Sequence, residues 1–307
     1  MYIADMHCDS LSLVSEERGM INSYNFSNKN PTIQFFAHFS PKRDSTPEER
    51  RKRLTEAFKL YLCECERLGL LGIKSVEDLL CITDSNLSAA LFSIEGGAGL
   101  FADSPELPVL AGAGLAVLGM AWDSNELSAS AYDESDTGLT DEGKKLLLCC
   151  SQLGVIIDVS HMSDNAFYET FEYSGAPHIA THSNFRELCP SRRNLTLDMA
   201  REIAGRGGVI GLNLYPPFLR EGGVADGNDI LRHVDYALEF LGDRCLGFGF
   251  DIDGTDGVYP KGISAEWSIH DQVIELLLSH YSASTVERIA GLNVIEFLKN
   301  NLAGQYQ

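Results

Sequence analysis

The chain has 307 residues, 44% hydrophobic and 22% charged, which suffices for a substantial core and argues against disorder. Its 44 acidic residues against 24 basic ones leave a net charge of -20. That balance excludes partners read through basic patches, namely nucleic acid and anionic membrane. No apolar run reaches the roughly 18 residues of a membrane span. The start, Met1-Tyr2-Ile3-Ala4-Asp5, carries neither a basic segment nor an apolar stretch of the secretory kind, so a cytoplasmic location is expected. The eight cysteines lack paired Cys-x-x-Cys spacing, which disfavours a thiolate zinc site and fits reduced thiols buried in a core.

Apolar runs at 2–8 and 33–39 read as the first two strands. Thr46-Pro47-Glu48-Glu49 then combines a cap, a first-turn proline and a capping-box glutamate, starting a helix that runs to Leu68. A strand at 89–94 follows, a helix starting at Ser104-Pro105, and a strand at 115–121. Thr140-Asp141-Glu142 leads a helix to Leu153, before a strand at 155–160. Ser163-Asp164 opens a helix to Tyr173, and a strand at 178–182 follows. A helix at 198–205, a strand at 208–214, a helix at 228–241 and a strand at 245–250 continue the alternation. Helices at 268–280 and after a second capping box, Ser284-Thr285-Val286-Glu287, end the chain. Continuous apolar strands suit a parallel sheet buried on both faces. Eight of them alternating with helices predict a (β/α)8 barrel as a single domain over 1–307. An open doubly wound sheet is the alternative, but no Gly-x-Gly-x-x-Gly turn follows the first strand.

Polar residues stand at the ends of several of these strands. His7 and Asp9, two apart, share a face of the first strand, with Asp5 deeper on the same parity. Glu95 closes an apolar run before Gly96-Gly97, where a bare buried carboxylate is costly. His161 follows Asp158-Val159-Ser160, and His182 follows Ala180-Thr181. A lone strand-end histidine is ordinarily a satisfied core residue. Several, each ending a different strand, are a two-metal ligand set, in which metals about 3.5–4 Å apart clamp a substrate oxygen. Asp251, in Gly249-Phe250-Asp251-Ile252-Asp253-Gly254, stands where a general acid–base belongs, or else caps a turn with Asp253. Arg193, in Ser191-Arg192-Arg193-Asn194, is placed to hold a carboxylate. Trp122 and Tyr215, just beyond strands, are candidate pocket residues, and Trp122 equally suits a core anchor. His38, His178, His233, His270 and His280 are read as structural.

At these residues the chain resembles the zinc membrane-dipeptidase (renal dipeptidase) family of metallopeptidases, in its soluble bacterial branch. The likeness runs from Asp5-Met6-His7-Cys8-Asp9 through Ile94-Glu95-Gly96, Gly138-Leu139-Thr140, Asp158-Val159-Ser160-His161 and Thr181-His182-Ser183 to the Gly-Phe-Asp-x-Asp-Gly strand end. It implies a (β/α)8 barrel with two divalent ions, zinc in this family. His7 and Asp9 would bind one, His161 and His182 the other, and Glu95 would bridge them. Asp251 matches the proton carrier, and Arg193 the arginine that binds the free carboxylate of a dipeptide. Counting from Glu95, Trp122 stands where mammalian members carry a histidine assigned to the scissile carbonyl, which marks a sub-branch. Dimerisation is expected from the family alone.

The reaction so implied is hydrolysis of a dipeptide with a free C-terminal carboxylate by a hydroxide bridging two zinc ions. A second reading is another binuclear amidohydrolase acting on a non-peptide amide or lactone. Many of those bridge their metals with a carbamylated lysine, and no lysine ends a predicted strand here. A third is a non-catalytic, metal-bound binding protein.

Overall fold

Among residues 1–15, 29–39 and 45–304, which the computed structural model describes, each apolar run contains a strand. In chain order these are β1 (Ile3–Cys8), β2 (Thr32–Phe39), β3 (Leu71–Gly72), β4 (Ala89–Glu95), β5 (Leu115–Gly119), β6 (Ile156–Asp158), β7 (His178–Ile179), β8 (Ile210–Leu212) and β9 (Leu246–Phe248). All pairings between them are parallel. The order is β7-β6-β5-β4-β2-β1-β9-β8, with the two-residue β3 appended to β4. A bridge from Ala180 to Ile210 joins the ends of this path, so eight strands make a nearly closed barrel. This is the (β/α)8 architecture that the alternation predicts.

The helices are α1 (Ser10–Ser15), α2 (Pro47–Leu68), α3 (Val76–Asp84), α4 (Glu106–Ala113), α5 (Asp141–Leu153), α6 (Asp164–Tyr173), α7 (Leu197–Gly205), α8 (Pro216–Leu219), α9 (Gly227–Leu241), α10 (Ile269–Leu278), α11 (Ala283–Glu287) and α12 (Asn293–Asn301), with a π-helical turn at Arg288–Leu292. The expected capping box starts α2: Glu49 N donates to Thr46 Oγ1 at 3.2 Å and Thr46 N donates to Glu49 Oε2 at 2.8 Å. The second expected box is displaced. Ser282, not Ser284, caps α11, its hydroxyl accepting from Thr285 N at 3.2 Å. With the first-turn N–H already satisfied there, Ser284 falls inside the helix. Helices α1, α3 and α8 and strand β3 were not anticipated; α1 at six residues and α8 at four are too short to show a period.

Strand residues divide between two apolar clusters. Ala4, Met6, Phe35, Leu91, Val117 and Ile156 pack with Val294, Phe297 and Leu298 of α12. Phe36, Phe92, Leu118 and Ile157 pack with Leu54 of α2, Leu146 of α5 and Phe167 of α6. Burial on both faces is why the strands read as unbroken apolar runs.

One local irregularity sets the site. The β1–β2 register shifts between Asp5 and Cys8, so strict alternation fails there. Asp5, expected to lie deeper on the face of His7, turns away instead. Its Oδ1 accepts from His7 N at 3.2 Å and Phe250 N at 3.1 Å, and its Oδ2 sits 2.8 Å from His270 Nε2 on α10. A fully buried carboxylate thus staples β1 to the end of β9. No described helix is long and apolar enough to cross a membrane.

Candidate metal centre

Because every barrel strand runs the same way, their carboxyl ends share one rim, where barrel active sites are built. His7 and Asp9 stand at the end of β1, Glu95 at the end of β4, His161 beyond β6, His182 beyond β7 and Asp251 beyond β9. His161 and Asp251 both adopt left-handed backbone, with φ of 66° and 60°. Such positions cost energy for non-glycine residues and cluster at functional sites.

The side chains converge. Glu95 Oε1 lies 2.7 Å from His161 Nε2, 3.3 Å from His182 Nε2 and 3.7 Å from His7 Nε2. His7 Nε2 is 3.8 Å from both Asp9 Oδ1 and Asp251 Oδ1. The rings of His7 and His182 stack with centroids 3.8 Å apart. Two overlapping groups have ligand atoms within 4.8 Å of one another: His7, Glu95 and His182, and His7, Asp9 and Asp251. The sequence grouping set His161 beside His182; the structure places the two Nε2 atoms 2.8 Å apart. All five expected ligands and Asp251 are therefore brought together.

The electrostatics fit a cation. Burial holds all three imidazoles in the neutral, ligating form: His7 is depressed to about 3, with Arg193 reinforcing the effect. His161 and His182 are driven well below the usual range, chiefly by burial, with nearby imidazoles and Arg193 adding to it. Glu95 is pushed far up by burial, then by Asp9 and Asp251, against a lowering by Arg193. Burial lifts Asp251 to about 6, opposed by its hydrogen bond from Asn213 and by Arg193. His7 Nε2 and Glu95 Oε2 are buried and make no hydrogen bond. Unpartnered buried donors and acceptors of this kind demand a ligand, and nitrogen and carboxylate oxygen together suit a divalent ion such as zinc.

Arg193 is 4% exposed. One terminal nitrogen donates to the His182 carbonyl at 3.4 Å, its Nε has no partner, and the guanidinium lies 5.4 Å from the centre of the Phe218 ring. Arg192 is exposed and donates to the Asp133 carbonyl, as a surface arginine does. Trp122 is half-buried beside the centre rather than in the core. Its ring lies 4.8 Å from Phe39, 5.4 Å from Tyr132 and 6.1 Å from His161. Tyr215 precedes α8 and packs edge-on against Phe218 at 5.0 Å, on the Arg193 side.

The structure also supplies residues that sequence reading missed. Asn213 donates to Asp251 Oδ2 at 3.1 Å; its polar amide inside an apolar run was the available signal. Tyr132, 5.6 Å from the His161 ring, sits in an irregular segment with no periodic signal. Asp253 does not join the centre: it accepts from Ser10 Oγ at 2.6 Å and ties the turn to α1. His38, His178, His233, His270 and His280 lie outside both ligand groups; so does His161, which joins the centre through Glu95 at 2.7 Å and His182 at 2.8 Å.

A (β/α)8 barrel with histidines and carboxylates collected on its carboxyl rim defines the metallohydrolase class. The chain belongs to the membrane dipeptidase family (peptidase family M19), whose model matches residues 2–306, and is a hydrolase of peptide bonds. It is 31% identical over 237 residues to an uncharacterized protein in the pqqA 5' region of Klebsiella pneumoniae, covering 74% of this chain and 87% of that one. Its fold is similar to the crystal structure of dipeptidase AC, a metallo peptidase of family M19, with a TM-score of 0.86 at 24% identity over 99% of both chains. A metallo peptidase from Rhodobacter sphaeroides, solved with a phosphinate mimic of the dipeptide L-Ala-D-Ala, matches with a TM-score of 0.84 at 23% identity, covering 98% of this chain and 99% of that one.

Proposed function

We propose that the protein is a metal-dependent dipeptidase that cleaves dipeptides bearing a free C-terminal carboxylate, with two divalent ions, zinc by family habit, at the barrel rim. The observation that carries this reading is the convergence of His7, Asp9, Glu95, His161 and His182 beside the buried Arg193. His7 and Asp9 would hold one ion, His161 and His182 the other, and Glu95 would serve both. When bound, the ions supply Lewis acidity that acidifies water towards neutral pH and polarises the peptide carbonyl.

The remaining work falls to the chain itself. Arg193 receives the substrate carboxylate on a guanidinium whose Nε has no other partner, which fixes the scissile bond relative to the centre. Asp251, oriented by Asn213 at 3.1 Å, takes a proton from the attacking water and returns it to the leaving amine. Trp122 and Tyr132 form an aromatic wall next to His161, with Tyr132 also hydrogen-bonded to Arg193; Tyr215 packs on Phe218, the ring that Arg193 also meets. The pocket accepts either L or D residues at the carboxylate end, the D configuration being that of the mimic bound by the Rhodobacter protein.

The test is metal content by mass spectrometry, paired with hydrolysis of L-L and L-D dipeptides with and without chelator. Near two zinc per chain with chelator-sensitive cleavage supports the reading. Metal without dipeptide cleavage moves the function to another amide substrate or to a binding role. A protein that takes up no metal on reconstitution refutes it.

A further inference from the structure

We propose that Asp158 and Thr181 are positioning residues that fix the tautomer of His182, placing its ring proton on Nδ1 and its lone pair on Nε2. Asp158 Oδ1 accepts two backbone N–H groups, from Ser160 and Thr181, each at 2.9 Å. Its Oδ2 accepts the Thr181 hydroxyl at 2.5 Å. That hydroxyl has one proton, and the carboxylate, which can only accept, takes it. Thr181 Oγ1 then presents only lone pairs to His182 Nδ1, 2.8 Å away. The ring nitrogen must be the donor. The lone pair on Nε2 faces His161 Nε2 at 2.8 Å and Glu95 Oε1 at 3.3 Å, among the other candidate ligands.

The parts are held firmly. Asp158, Thr181 and His182 are 4%, 1% and 1% exposed, so no bulk water competes for these bonds. Gly211 and Gly249 flank the Thr181 carbonyl oxygen, and neither leaves room for a Cβ. Ser160 Oγ accepts from His182 N at 3.3 Å and lies 3.4 Å from Thr181 Oγ1. His161 has no such support, because its Nδ1 makes no hydrogen bond. Groups that orient a ligating imidazole through its other nitrogen raise metal affinity; here a threonine hydroxyl stands between carboxylate and ring. The consequence for metal binding rests on the reading of His182 as a ligand, whereas the tautomer does not.

Asp158→Asn tests the relay because it is isosteric. The two backbone N–H groups still require an acceptor at Oδ1, so the amide NH2 is turned towards Thr181. Thr181 must then accept, its own proton rotates to His182 Nδ1, and the ring proton moves to Nε2. Nitrogen-15 NMR of the metal-free protein reads this directly: His182 carries Nδ1–H in the wild type and Nε2–H in Asp158→Asn. Zinc affinity, measured by chelator competition, falls about 10–100-fold in Asp158→Asn and Thr181→Val, and stays within about threefold in Thr181→Ser. An Nε2–H tautomer in the wild type overturns the proposal whether or not any variant folds. So does an Asp158→Asn protein, folded, whose His182 keeps Nδ1–H; unchanged zinc affinity in a variant whose tautomer has switched refutes His182 as a ligand instead. A tautomer that switches as described, in a protein whose wild type takes up no zinc, leaves the relay standing and refutes the metal reading instead.

Discussion

Replacing Arg193 with methionine tests the proposed contact with the substrate carboxylate, on which a preference for dipeptides over other amides rests. The guanidinium is 4% exposed, and its Nε lacks a hydrogen bond. A substrate carboxylate arriving there is desolvated against a charge that is already desolvated. Hydrogen bonds to charged groups contribute about 1.5–3 kcal/mol each, and breaking one partner of a buried pair costs about 3–5 kcal/mol. A bidentate contact therefore contributes about 4 kcal/mol. At about 1.36 kcal/mol per tenfold, Arg193→Met loses about 10³ in kcat/KM on a dipeptide. The assay compares each dipeptide with its C-terminal amide, in wild type and variant. The amide is a poor wild-type substrate and loses little more in Arg193→Met, because the interaction is already missing. Equal losses on acid and amide would mean that Arg193 acts only by steadying the centre through its field. A kcat/KM within threefold of wild type on the free dipeptide would refute the assignment outright.

Asp251→Asn should lower kcat by about 10²–10⁴, the range of a lost general acid–base, while zinc content by mass spectrometry stays unchanged; near-normal turnover would reassign the proton carrier. Zinc should stabilise the chelator-treated protein by about 2.7 kcal/mol at 100 times the Kd, read as a concentration-dependent rise in its thermal midpoint; a midpoint indifferent to zinc contradicts a folded-state site. Acid should weaken the fold through His178 and His233, both held down to about 4 mainly by burial. His233 Nδ1 accepts from Phe185 N at 3.3 Å while Nε2 lies 3.0 Å from the Leu219 carbonyl, which fixes the neutral ring. With a folded value near 4 and an unfolded one near 6.5, the folded state binds fewer protons between them. Their contribution is complete above about pH 6.5 and is lost as pH falls towards 4, at most about 3 kcal/mol per ring. NMR titration placing either ring at or above its ordinary midpoint removes this source of acid sensitivity.

The barrel was legible from the chain because strands covered on both faces must be apolar throughout, and eight such runs separated by capped helices admit few other topologies. The candidate ligands stood out for the complementary reason: a histidine or carboxylate at the end of an apolar run is expensive unless something pairs with it, as at His7, Glu95, His161 and His182. Tertiary structure alone decided their mutual geometry. The register shift in β1 separates Asp5 from His7, although their spacing implies a shared face, and sends Asp5 to His270 on α10, a partner 265 residues away. Asn213 reaches Asp251 across 38 residues, and Tyr132 meets His161 from a segment with no period. The Asp158–Thr181–His182 chain depends on two strand ends being held within hydrogen-bond reach. Burial patterns along one segment are local and can be read from the sequence. Hydrogen bonds between segments depend on register and closure, which exist only once the barrel has formed.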